Sequence, residues 1–221
     1  MLTFKGPSVI DIAAEWLRAS THVLIGAGAG LSVAAGIDYT DSESFAELYP
    51  AMRRRGFRAC YELIGRHDLP PPVFWGYWGV HVQHVRFAPG VAAVYEALRQ
   101  LTKNKDVFVV TSNVEAIFVR NGFEADGVWT PQGDFAHMHC TARRLPECAR
   151  LVWSSEPVLE RLLQHLDPTT HEVDAPGLLV ARRAEAVSSS TFVRMRPSSR
   201  ARTSTRASDV SSGYSRQWTV H

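Results

Sequence analysis

The first apolar positions of the chain recur at helical spacing. Val9, Ile10, Ile12, Ala13, Trp16 and Leu17 follow that period, and Ser8 with Asp11 three residues later has the form of a capping box. The pattern then changes. His22-Val23-Leu24-Ile25 is a short apolar run that stops at Gly26, which reads as a buried parallel strand entering a turn. Within the glycine-rich stretch 26–36, Ser32-Val33-Ala34-Ala35 can start a second helix.

Residues 42–88 differ in character. They hold Arg53-Arg54-Arg55, the break Pro70-Pro71-Pro72, and the aromatic cluster Phe74, Trp75, Tyr77 and Trp78. This composition predicts a small helical insertion packed over a larger sheet. The aromatics fit a module core better than a groove lining, although both remain open. Pro89-Gly90 precedes a helix over 91–101, with Val91, Val94, Tyr95, Leu98 and Leu101 along one side. Asp106-Val107-Phe108-Val109-Val110 is the clearest strand. A helix over about 114–121 follows, ending at Asn121-Gly122. Val128-Trp129-Thr130 suggests a third strand, and 156–166 one more amphipathic helix. Strands alternating with helices predict an α/β, Rossmann-like parallel sheet. The expected organisation is a main domain over 1–180 and a tail over 181–221.

Composition refines this picture. Hydrophobic residues make up 45% of the 221, enough to bury a core, and no run approaches the roughly 18 apolar residues of a membrane span. The opening residues carry Asp11 and Glu15 and read as a helix, not as a targeting peptide. Three scattered cysteines do not make a disulfide framework, so an intracellular, cytoplasmic setting is expected. The net charge of +2 is unevenly spread: residues 182–221 hold eight Arg against Glu185 and Asp209. That tail is Arg- and Ser-rich with almost no periodicity, which predicts a solvated, disordered end. Nucleic-acid binding through its charge is the less favoured reading. No internal repeat is visible.

The candidate chemistry lies at the strand ends, where open α/β sheets place their ligands. Gly26, Gly28 and Gly30 follow the first strand and allow the backbone to approach a diphosphate. Leu31 stands where the third glycine of GxGxxG would be, so a plain tight turn is equally compatible. Thr111, Ser112, Asn113 and Glu115 follow the second strand. The Asn113 amide can orient a ribose hydroxyl or a water; spacing alone favours a helix cap.

Taken together these residues resemble a family. Gly28-Ala29-Gly30-Leu31-Ser32 and Gly36-Ile37-Asp38-Tyr39 resemble the sirtuin signature GAGxSxxxGIPDF with the proline missing. Thr111-Ser112-Asn113-Val114-Glu115 resembles the sirtuin TQNID motif, and Gln132-Gly133 lies where sirtuins carry His-Gly. The resemblance covers roughly residues 8–170. It is closest to class M sirtuins, with Gly36-Ile37-Asp38-Tyr39-Thr40-Asp41, Trp75-Gly76-Tyr77-Trp78 and Thr130-Pro131-Gln132-Gly133-Asp134 as the matching segments.

The resemblance implies an NAD-dependent protein ADP-ribosyltransferase. NAD would be bound by Gly28, Ala29, Gly30, Ser32, Gly36, Ile37, Asp38, Tyr39, Thr111, Ser112, Asn113 and Glu115, with Asn113 and Gln132 as catalytic residues. The acceptor would be a protein, with a lipoyl-carrier protein suggested by the family. A deacylating sirtuin uses the histidine as a general base; a glutamine amide cannot take a proton. Transfer therefore fits Gln132 better than deacylation. The alternatives are an NAD-dependent protein deacylase and a truncated, catalytically silent binding protein. Glu115 is one methylene longer than the family's aspartate, so a contact with the nicotinamide amide would require a shifted backbone. The family's zinc module implies ligands at Cys140 and Cys148 within a degenerate region over about 135–175. These cysteines are eight residues apart, and zinc pairs are spaced C-x₂₋₄-C. After about residue 175 the family pattern is lost, which reads as a truncation or a shifted reading frame.

Overall fold

The computed structural model describes residues 8–66, 68–88, 90, 92–140, 152–174 and 193–195, with backbone alone at 139, 140 and 193–195. Helix α1 (Val9–Ala19) opens on the expected capping box: the Asp11 N–H donates to Ser8 Oγ at 3.2 Å and the Ser8 N–H to Asp11 Oδ2 at 3.0 Å. Strand β1 (His22–Ala27) then leads into the short helix α2 (Ala29–Ala34). Helices α3 (Ser42–Leu48), α4 (Pro50–Arg54) and α5 (Pro71–Val82) follow, and α5 runs on into a π-helical turn over Gln83–Phe87. Helix α6 (Ala93–Leu101) returns the chain to strand β2 (Asp106–Thr111).

The sheet that results is parallel and ordered β1-β2-β3, with β3 at Val128–Trp129. His22 pairs with Asp106 and the register runs to Ala27 opposite Thr111, so the two strands end level. This equal ending sets the glycine loop beside Thr111-Ser112-Asn113.

Two apolar clusters hold the molecule. Tyr95, Ile117, Phe118 and Phe123 pack with Val109 of β2. A larger cluster joins Phe45, Tyr49 and Met52 with Val73, Trp75, Tyr77, Trp78, Val82 and Val85. The aromatics of α5 are thus core: Tyr77 is fully buried, and Trp75 and Trp78 nearly so. That core also takes in Met138 of β4 (His137–Cys140) and Leu159 and Leu162 of α8 (Glu156–Leu163). β4 pairs antiparallel with β5 (Val152–Ser154) and with β8 (Val193–Met195). A small antiparallel pair, β6 (Leu166–Asp167) and β7 (Glu172–Val173), packs against α5. There Gly76 is obligatory, because a Cβ would stand 2.1 Å from the His171 carbonyl oxygen.

Several expectations need correction. Among the described residues β1 is an edge strand, and it is not buried: Leu24 is 71% exposed. Leu24, Phe108 and Trp129 all leave apolar surface open, where parallel sheets are usually covered on both faces. α1 likewise buries none of its residues. The helix expected over 114–121 shrinks to α7 (Ile117–Arg120), because Ala116 takes a left-handed conformation (φ 54°) that breaks the helix before it can include Val114 and Glu115. The helix expected over 156–166 ends at Leu163, and that over 91–101 is seen from Ala93. The expected tail over 181–221 lies outside the described residues except for β8, and Cys148 lies outside them altogether.

Candidate functional site

The site forms where the carboxyl ends of β1 and β2 meet. Asn113 is half-buried, and its Nδ2 donates to the Gly28 carbonyl at 2.9 Å. This amide therefore clamps the glycine loop to the β2 end. The Thr111 hydroxyl accepts the Asn113 N–H at 3.1 Å and fixes the turn. Ser112 is exposed, and a Cβ added at Gly28 would stand 3.5 Å from its Oγ. At Gly26, near the end of β1, and Gly30, in the first turn of α2, an added Cβ would meet nothing within 4 Å, so the backbone on either side of Gly28 faces open space. Ala29 is exposed and Gly36 carries a left-handed backbone (φ 86°), the conformation that glycine adopts without strain.

Beneath the loop lies a buried carboxyl group. Glu115 is 2% exposed. Its Oε1 accepts from Ser32 Oγ at 3.1 Å and from Tyr39 Oη at 3.4 Å, so the three motif segments meet at one oxygen. Its Oε2 has no partner among the described residues. A buried acceptor without a donor costs about 1–3 kcal/mol, which singles out Oε2 as a place for a ligand or water hydrogen. Burial, reinforced by the neighbouring Glu115, pushes the Tyr39 phenol far above its ordinary range, so Tyr39 stays a donor. The left-handed Ala116 follows directly and directs the backbone around Glu115.

Gln132 is exposed, on a loop pinned at both sides. Gly133 takes φ 121° and its N–H donates to Thr130 O. The Phe135 N–H donates to the Val114 carbonyl at 3.0 Å, which ties this loop to the β2 end. Asp134 accepts from Arg86 Nε at 2.7 Å and Nη2 at 3.2 Å, and from the Ala136 N–H at 2.7 Å. Both side chains of this ion pair are less than one-fifth exposed. Arg120 braces the same region by donating to the Val85 and Ala88 carbonyls.

A cavity of about 260 Å³ lies beside residues 36–39. Ile37, Asp38 and Tyr39 line it together with α3 and the end of α5, but Asn113, Glu115 and Gln132 do not. Sequence reasoning missed a buried histidine of its lining, His81, and the brace Arg86–Asp134. The only available sign was the spacing Tyr77 to His81, one turn of α5. The Cys140 side chain is not described and Cys148 lies outside the described residues; among the described residues no group of His, Cys, Asp and Glu is placed to hold a metal ion. Among them, too, no helix is long and apolar enough to cross a membrane.

No protein-family model matches the sequence. Over 172 residues, 76% of its length, the chain is 32% identical to a probable bifunctional ADP-ribose hydrolase/ADP-ribosyltransferase of Fusarium oxysporum f. sp. cubense. It spans only 28% of that relative's length. Among solved structures it is similar to a chain described under "Structural Basis for the Mechanism and Regulation of Sir2 Enzymes", at 19% identity and a TM-score of 0.39, covering 68% of this chain and 54% of that one. The chain is thus related to one part of that fungal protein.

Proposed function

We propose that this chain is the NAD-binding part of a sirtuin-type protein ADP-ribosyltransferase. The observation that carries this is the junction of Gly28, Ser32, Tyr39, Asn113 and Glu115 at the level ends of β1 and β2, with a glutamine on the adjoining loop. The fungal relative's name, which includes ADP-ribosyltransferase, supports it.

The residues present fit NAD. The open backbone at Gly26 and Gly30 leaves room for a diphosphate, and the unpartnered Glu115 Oε2 offers an acceptor to an amide N–H. NAD would supply the ADP-ribosyl group, with nicotinamide as leaving group. Ser32 and Tyr39 hold Glu115 in one orientation by donating to its other oxygen. Asn113 keeps the glycine loop against β2. Gln132 donates and accepts hydrogen bonds but takes up no proton, so it orients ribose or acceptor instead of acting as a base. An acceptor protein completes the reaction, and the family resemblance suggests a lipoyl-carrier protein.

Incubation with NAD and candidate acceptors, followed by mass spectrometry for added ADP-ribose, tests this. Gln132→Ala should lower transfer by about tenfold or more while leaving the melting temperature unchanged, because the side chain is exposed. A folded sample that neither transfers ADP-ribose nor releases nicotinamide would refute the proposal.

A further inference from the structure

The cavity beside residues 36–39 has a composition unsuited to any anionic part of a dinucleotide. Asp38, Asp41 and Glu47 line it with His81 and His84, and among the described residues no Lys or Arg does. Hydrogen bonds from Thr40 hold the Asp38 carboxyl below its ordinary range, and those from Ser44 and Glu43 do the same for Asp41. Both are therefore charged at neutral pH. The rest of the lining includes the apolar and aromatic side chains of Ile37, Phe45, Tyr49 and Val85.

A second feature is independent of these carboxylates. His81 lines the same cavity and is 2% exposed. Its Nδ1 pairs with Tyr49 Oη at 3.1 Å, while its Nε2 has no partner among the described residues. The ring stacks on Tyr77 (centroids 5.2 to 5.5 Å from Tyr39 and Tyr77) and cannot turn away without breaking that packing. Burial keeps it neutral. A fixed, neutral imidazole with a free nitrogen is a hydrogen-bonding group built for something that enters the cavity.

We infer that this cavity is a subsite for one cationic side chain, lysine or arginine, of a partner protein, with the alkyl stem among the aromatic residues and the head near the carboxylates and His81. Its volume of about 260 Å³ suits a single side chain; it is below the roughly 300–1,000 Å³ of pockets that enclose drug-sized ligands. Identifying the partner with the ADP-ribose acceptor rests on the function proposed above, whereas the binding itself does not.

The test is a ¹H–¹⁵N NMR titration of the full chain with Nα-acetyl-arginine amide and Nα-acetyl-lysine amide. The neutral citrulline and norleucine amides serve as controls, and NAD is titrated separately. The cationic probes should shift Phe45, Tyr49, His81 and Val85, and the neutral ones should not. Glu47→Lys, a surface change, should weaken probe binding by about fivefold or more. His81→Phe should weaken it too, with a melting curve to establish folding. Equal response to neutral probes, no response at all, or NAD shifting the same residues in competition with the probes would overturn the inference. A chain that binds the probes but neither binds nor consumes NAD would sink the transferase proposal and leave this subsite standing.

Discussion

The Arg86–Asp134 pair should hold the Gln132 loop in place, and its worth can be worked out. Arg86 meets Asp134 with two nitrogens, at 2.7 and 3.2 Å, and the two side chains are 18% and 17% exposed. Breaking a fully buried pair by removing one partner costs about 3–5 kcal/mol. Here about a fifth of each side chain reaches water, and the Ala136 N–H still serves Asp134 after Arg86 is gone. Arg86 also repels Arg120, whose own pKa is lowered first by burial and then by Arg86. These corrections bring the loss for Arg86→Met to about 1–3 kcal/mol. The Arg86 guanidinium also lies 5.4 Å from the Phe87 ring centre, a contact the same change removes. A double-mutant cycle with Asp134→Asn in urea unfolding separates the two, because only the pair contributes to the coupling. A coupling of about 1–2 kcal/mol is expected, with faster amide exchange at Gly133 and Phe135 in both single variants. A coupling within about 0.3 kcal/mol of zero, the level of additive sites, would show that the pair does not brace the loop.

Other perturbations test the rest of the structure. Gly76→Ala should destabilise by about 3 kcal/mol or more in a thermal melt, because the new Cβ meets the backbone at His171 and no flexible side chain can yield. Burial pushes the His81 pKa from its ordinary 6.5 down to about 3, so the unfolded chain takes up a proton in acid that the native one refuses. Stability should therefore be complete above about pH 6.5 and fall as pH drops toward 3, by up to about 1.4 kcal/mol per unit. His171, also lowered by burial, adds in the same direction, and His81→Asn should flatten the slope between pH 6.5 and 5 in denaturation curves. Glu115→Gln keeps an acceptor for Ser32 and Tyr39 but puts an amide donor where Oε2 now lacks a partner. The variant should melt no lower than the parent, while NAD affinity by calorimetry falls about tenfold; unchanged affinity would remove Glu115 from the cofactor site.

Residue type and local order were enough to set the short elements and the chemistry at their ends. The capping box at Ser8 needs only a side chain three residues away. The run Val107–Val110 and the glycines after Gly26 declare a strand and a turn whatever surrounds them, and the motifs 28–39 and 111–115 could be read as one site because their residue types and order are enough. Tertiary structure decided what depends on partners far apart in the chain. Leu24 looked buried because an apolar run is silent about whether a second layer covers it. The helix at 114 was lost because Glu115 turns inward to Ser32 and Tyr39, 83 and 76 residues away, and Ala116 takes the backbone bend. His81 offered only its one-turn spacing from Tyr77, and the Arg86–Asp134 brace carried no periodic signal at all. Their character comes from what surrounds them: a histidine becomes a neutral hydrogen-bonding post, and an arginine a loop clamp, only when folding removes their water.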